Sequence, residues 1–128
     1  MQFDGTVLIV DDEPHIRKYI GLILRKLGTP TIVEAANGEE ALVAFDQHQP
    51  DLVLMDVNMP VMDGLQALER LNVDHPEALV VMLTSLATRN VVERCLELGA
   101  VNFVRKDTPK ETMTKVLSET IAEHFAPD

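Results

Sequence analysis

Leu52-Val-Leu-Met-Asp56-Val-Asn58-Met-Pro60-Val-Met-Asp63-Gly64 decides how this chain is read. Leu52 to Met55 is an apolar run of strand type that stops abruptly at a carboxylate. Pro60 and the Asp63-Gly64 pair then supply turn chemistry, and a helical pattern opens at Leu65. In an open α/β sheet, groups at the carboxyl ends of strands line the crevice where ligands bind, and Asp56 is placed there. A lone Asp at a strand end can equally cap the next helix. Its meaning therefore depends on what else reaches the same edge.

On the N-terminal side, Val7-Leu-Ile-Val10 reads as a strand buried on both faces. Asp11-Asp12-Glu13 follows it, with Pro14 suited to the first turn of a helix. Ile16, Ile20, Ile23, Leu24 and Leu27 recur at helical spacing, and Gly28 stops that helix. Thr31 to Ala35 predicts a second strand with polar residues mixed in. Asn37-Gly38 reads as a turn, and Ala41, Leu42 and Phe45 mark a second helix. The third strand is expected over 51–55, followed by a helix carrying Leu65, Leu68 and Leu71.

Beyond it, residues 79–83 predict a fourth strand ending at Thr84-Ser85. A helix with Val91, Val92, Cys95 and Leu96 comes next, closed by Gly99. Residues 101–104 predict a fifth strand ending at Arg105-Lys106. Thr108-Pro-Lys-Glu111 fits a capping box with proline at the first helical position, and Met113, Val116, Leu117 and Ile121 give the last helix its apolar face. Five strands alternating with five helices imply right-handed crossovers and a parallel sheet. Strands two and five carry Glu34 and Asn102 and so belong at the edges. The expected fold is α/β, doubly wound and flavodoxin-like, a (βα)5 unit with strand order 2-1-3-4-5.

The 128 residues favour a single domain over 1–128 with a core over about 5–125, and the 46% apolar content can build it. Lys and Arg total 11 against 21 Asp and Glu, a net charge of −10, which argues against direct nucleic-acid binding. Cys95 is the single cysteine, expected in the core. No run approaches the roughly 18 consecutive apolar residues of a membrane span, so no membrane association and a cytoplasmic location are expected.

In a parallel sheet all carboxyl ends lie on one side. Asp11 and Asp12 after strand one, Asp56, Thr84 after strand four and Lys106 after strand five therefore converge on one crevice. Each has an ordinary explanation alone, as a helix-start residue, a loop hydroxyl or a solvated cation. Those explanations do not require all five at one edge. Three carboxylates at close range repel one another, and a hard divalent cation such as Mg2+ removes the conflict while bridging to a phosphate. Asp56 is then the candidate nucleophile, since a carboxylate can take up a phosphoryl group as an acyl phosphate. The metal and Lys106 would neutralise the phosphoryl oxygens, with Thr84 donating a hydrogen bond.

With these residues in view, the chain resembles the receiver domain of two-component response regulators, of the chemotaxis-regulator type, over essentially its whole length. The marks are Val10-Asp-Asp-Glu13, Asp56 with Met59-Pro60 and Met62-Asp63-Gly64, Thr84-Ser85, and Phe103 three residues before Lys106. The resemblance implies that Asp56 is the phosphoacceptor. It implies Mg2+, with Mn2+ able to substitute, held by Asp12, Asp56 and the Asn58 main-chain carbonyl, with Asp11 acting mainly through water. Lys106 would pair with the phosphoryl group, while Thr84 and Phe103 act as switch residues. Asn58 and Leu86 occupy positions that tune phosphoryl lifetime. The implied partners are a histidine kinase or phosphotransfer protein, and a downstream protein met through the face of the fourth helix, fifth strand and fifth helix. The protein would be a monomer or a phosphorylation-dependent dimer. It would promote only its own phosphorylation and dephosphorylation, and so is not expected to be a turnover enzyme.

One departure stands out. The family usually has proline directly after the lysine, often behind a cis bond, whereas Lys106 is followed by Asp107-Thr108-Pro109. A cis bond without proline costs about 2.5–4 kcal/mol, so either a trans bond or a strained cis one is expected. Besides a flavin domain, two alternatives stand against this reading. One is an aspartate-nucleophile phosphohydrolase of the haloacid-dehalogenase type, but Asn58 stands where its acid would be. The other is a receiver-like interaction module that takes up no phosphate, for which the missing proline is the support. A flavin domain would want hydroxyl groups or Gly after strand one, where Asp11-Asp12-Glu13 stands instead.

Overall fold

The computed structural model describes residues 3–85 and 88–125. The elements run β1 (Thr6–Val10), α1 (Pro14–Arg25), β2 (Thr31–Ala35), α2 (Gly38–His48) and β3 (Leu52–Asp56). They continue with α3 (Gly64–Asp74), β4 (Val80–Thr84), α4 (Arg89–Glu97), β5 (Asn102–Arg105) and α5 (Lys110–Phe125). All four strand pairings are parallel, in the order β2-β1-β3-β4-β5. The flavodoxin-like architecture expected from the alternation is the one found.

Period-two alternation explains the layers. Leu8, Val10, Val53, Met55, Val80 and Met82 join the core under α2, α3 and α4. Their neighbours Val7, Ile9, Leu52, Leu54, Val81 and Leu83 join the core under α1 and α5. A strand with helices on both faces must be apolar at successive positions. β3 and β4 are buried throughout, whereas Thr31 and Glu34 of β2 and Arg105 of β5 are exposed. Polar strands thus occupy the edges. Cys95 is fully buried in the first of these cores, as expected.

Three strands end one residue later than the hydropathy suggests, and the shift matters for the site. Asp56 pairs with Leu83, and Thr84 with Arg105, inside the ladder. Ladder bonds even run on, from Val57 N–H to the Leu83 carbonyl (3.0 Å) and from Lys106 N–H to the Thr84 carbonyl (2.8 Å). Polar side chains end the apolar pattern without ending backbone pairing. The site residues therefore inherit the rigidity of the sheet.

Two helix starts also differ. Asn37 is the N-cap of α2, accepting from Glu40 N–H at 2.9 Å, rather than part of a free turn. At the other end of the chain, α5 opens at Lys110 and its first acceptor is the Pro109 carbonyl, bonded by Met113 N–H at 2.9 Å. Proline thus sits one place before the first helical residue. Among the described residues no helix is long and apolar enough to cross a membrane.

Candidate functional site

β1 delivers Asp11 to the carboxyl edge of the sheet, where its N–H bonds the Ala35 carbonyl of β2 at 3.1 Å. Asp11 is fully buried. Its Oδ1 accepts from Glu13 N–H at 2.9 Å, which leaves Oδ2 turned toward the crevice. Asp12, next in the chain, is exposed on the rim. Asp56, 4% exposed, arrives from β3, the neighbour of β1. One oxygen from each of Asp11, Asp12 and Asp56 lies within 4.8 Å of the others.

Lys106 closes this cluster from β5. Its Nζ lies 2.7 Å from Asp11 Oδ2 and 2.9 Å from Asp56 Oδ2, with the side chain only 16% exposed. The bond to Asp107 is trans. What holds this proline-free loop is a set of local contacts. Arg105 Nε and Nη2 reach the two oxygens of Asp107 at 3.0 and 2.8 Å, and Thr108 N–H bonds the Arg105 carbonyl at 3.1 Å. The Arg105–Asp107 pair is exposed and screened by solvent, so its part is geometric rather than energetic.

Electrostatics show what the cluster lacks. Burial pushes the Asp56 carboxyl above its ordinary pKa; Lys106 pulls it down, and Asp11 adds to the rise. Burial works to lower the Lys106 ammonium, yet its contacts with Asp11 and Asp56 outweigh that and raise it. One ammonium is shared between the two carboxylates. Asp11 Oδ2 accepts no well-aligned hydrogen bond although it is buried. Three carboxyl groups meet a single ammonium here, an excess of acidic oxygens that a divalent cation would offset. An all-oxygen donor set of this kind suits Mg2+.

The β3–α3 turn is locked behind Asp56. Gly64 N–H bonds the Val57 carbonyl at 2.7 Å. A Cβ on Gly64 would overlap the Asp56 carbonyl oxygen and stand 2.9 Å from its carbonyl carbon. Asp63 caps α3, accepting from Gln66 N–H at 2.9 Å while Gln66 Oε1 accepts from Asp63 N–H at 3.1 Å. Ahead of this cap Val61 carries φ +67°, with Met62 N–H bonded to the Pro60 carbonyl at 2.7 Å. That is a strained three-residue turn for a β-branched side chain.

The remaining expected residues fall around this centre. Thr84 is buried at the last position of β4. Phe103 is half-buried, packed on the α4 side of the sheet, while its neighbour Val104 packs on the α5 side. Asn58 is exposed directly after Val57. Leu86 lies outside the described residues. Sequence reasoning passed over Arg17, whose guanidinium donates to the Asp11 main-chain carbonyl at 2.7 Å and to Glu34 at 2.9 Å. A cation in the first turn of a helix, where the helix dipole disfavours it, was the available signal. The groove of about 490 Å³ along α2, lined in part by Val33, Val43 and Val61, shares no residue with the acidic cluster.

The family described as response regulator receiver domain matches residues 7–118. The chain belongs to that family. Chemotaxis protein CheY of Bacillus subtilis is 33% identical over 115 residues, covering 90% of this chain and 96% of that protein. A protein-glutamate methylesterase/protein-glutamine glutaminase of Treponema pallidum is 43% identical over 117 residues, covering 85% of this receiver but only 28% of the methylesterase. Among solved structures, the CheX-CheY-BeF3-Mg2+ complex from Borrelia burgdorferi matches with a TM-score of 0.84 at 33% identity, covering 92% of this chain and 87% of that one. Receivers of the CheY type are signalling switches in two-component systems, and related enzymes carry their activity with additional domains. Receivers interact with histidine kinases and downstream targets, and they bind Mg2+ through an acidic pocket of the kind Asp11, Asp12 and Asp56 form here.

Proposed function

We propose that this receiver is a phosphoryl-accepting switch with Asp56 as acceptor. The single observation that carries the reading is Lys106 standing within 3 Å of both Asp11 and Asp56 at the carboxyl edge of the sheet. An Asp56 oxygen attacks the phosphorus of a kinase or phosphotransfer-protein phosphohistidine. The O–P bond forms as the N–P bond breaks, and the imidazole leaves. Lys106 turns from the carboxylates toward the phosphoryl oxygens, which develop charge in line with its ammonium. Mg2+ held by Asp12, Asp56 and the Asn58 carbonyl, with Asp11 behind, would supply the remaining positive charge. Mn2+ fits the same oxygens.

The register of β4 and β5 supports a relay. Thr84 and Arg105 are paired, and Met82 pairs with Phe103 two residues earlier. Thr84 moves toward the phosphoryl group, Phe103 turns into the space behind it, and the α4–β5–α5 face changes for a downstream protein. That change in face is also the route to a phosphorylation-dependent dimer of an otherwise monomeric protein. Asn58 and Leu86, two residues beyond Asp56 and Thr84 in the sequence, hold the positions at which the family tunes phosphoryl lifetime. The setting is the cytoplasm, where ATP-fed kinases supply phosphohistidine. The receiver then promotes its own phosphorylation and dephosphorylation without turning over another substrate.

Intact mass after incubation with acetyl phosphate tests this, with and without Mg2+, for the wild type and Asp56→Asn. A single phosphoryl adduct that requires both metal and Asp56 is expected. Absence of any adduct, together with no consumption of the donor, would leave an interaction module as the better reading.

A further inference from the structure

We propose that Arg17 is a positioning residue of the acidic site, clamping the peptide between Asp11 and Asp12 so that both carboxylates face the metal position. The inference rests on reading Asp11, Asp12 and Asp56 as that position. The Asp11 carbonyl belongs to the planar unit that joins the two residues. A bond to its oxygen therefore restrains ψ of Asp11 and φ of Asp12, the two torsions that set how the Asp12 side chain is carried relative to that of Asp11. Arg17 Nη1 donates to this oxygen at 2.7 Å, a charge-assisted bond, while its Nε donates to Glu34 at 2.9 Å. The Arg17 side chain is 17% exposed, so the contact is sheltered from water.

Nothing else restrains that plane from the carbonyl side among the described residues. The other two anchors, Asp11 N–H to Ala35 and Asp11 Oδ1 from Glu13 N–H, act on either side of it. The following helix gives no help, since Glu13 stands at the N-cap of α1 without a side-chain capping bond. Arg17 occupies the first turn of α1, where the helix dipole opposes a cation. Its two contacts explain why a guanidinium stands there. Glu34 absorbs the Arg17 charge from the side away from the cluster, so the clamp does not compete with a metal for the carboxylates.

Calorimetric Mg2+ titration of the full chain tests this, alongside thermal melts in EDTA. Arg17→Met keeps the aliphatic stem and removes the donors; Mg2+ affinity should fall about tenfold, the usual scale for losing an outer support of a metal ligand. Arg17→Lys replaces a two-direction fork by one ammonium and should lose about threefold. Arg70→Ala removes a cation from an exposed pair 4.0 Å from Asp74 and should leave the affinity unchanged. Wild-type affinity in the Met variant, or in the Lys variant should the Met variant not fold, would overturn the inference, even with a lowered melting temperature. A wild-type protein that binds no Mg2+ would overturn it together with the metal reading itself.

Discussion

Two glycine-to-alanine substitutions should move stability in opposite directions, and the difference locates the point where packing meets the proposed phosphoryl acceptor. In Gly64→Ala the new methyl would overlap the Asp56 carbonyl oxygen, standing 2.9 Å from the Asp56 carbonyl carbon and 3.0 Å from Met82 Cε. Backbone cannot yield as a flexible side chain does, so the start of α3 or the end of β3 must shift. Overpacking of this kind costs about 1–3 kcal/mol. With an unfolding entropy of roughly 2.1 cal/mol/K per residue over 128 residues, that lowers Tm by about 4–11 °C. In Gly21→Ala the methyl meets only Arg25 Nη1 at 3.4 Å and Ile32 Cδ1 at 3.6 Å, ordinary contact inside a helix. There the helix propensity of Ala should raise Tm by about 2–4 °C, for a gain of up to about 1 kcal/mol. Circular-dichroism melts read the stability, and intact mass after acetyl phosphate reads the acceptor. Gly64→Ala should also slow phosphoryl uptake at saturating Mg2+, because the displaced strand end carries Asp56; Gly21→Ala should not. Equal Tm shifts of the same sign, or unchanged uptake in a destabilised Gly64→Ala, would refute the close-approach reasoning.

Three further outcomes rest on the same geometry. Asp56 has a raised folded pKa, so its contribution to stability is complete below the unfolded carboxyl pKa and is lost as pH rises through the folded one. Asp56→Asn should therefore melt above the wild type at pH 7 without Mg2+, with the gap closing toward pH 4; a variant that melts lower at pH 7 contradicts this. Lys106→Met leaves buried Asp11 and Asp56 without their cation, costing about 3 kcal/mol in EDTA, and Mg2+ should restore most of that. A Tm insensitive to Mg2+ in that variant would count against a shared cation site. Val61→Gly should stabilise by about 1 kcal/mol, since Val61 is 76% exposed and holds φ +67°, and urea melts would show it as a higher midpoint.

The alternation of Val7–Val10, Leu52–Met55 and the later runs with amphipathic helices dictates a parallel sheet. Glu34 and Asn102 mark its edges, which agrees with the order β2-β1-β3-β4-β5 that the structure shows. The acidic edge was legible for the same reason, since every strand of a parallel sheet ends on one side. Boundaries were less so. Hydropathy stops at Met55 and Leu83, but the ladder runs on through Asp56 and Thr84, because backbone pairing ignores side-chain polarity. Asn37 looked like a turn because capping and turning use the same residues and differ only in whether a helix continues from them.

Lys106 shows the limit most clearly. Without proline after it, local sequence could not say whether its ammonium reached the carboxylates; the register of β5 on β4 and the Arg105–Asp107 clip decide that. Arg17 and Gly64 act on Asp11 and Asp56 through distances between residues on different elements, and no periodicity carries such distances. Sequence alone determined the element types, the layer each side chain faces and the set of polar groups at one edge, since these depend on local periodicity and chain direction. Only the tertiary structure decided which atoms meet there. Angstrom-scale contacts come from the packing of helices and strands distant in sequence, where one residue of register or one methyl group changes the partner.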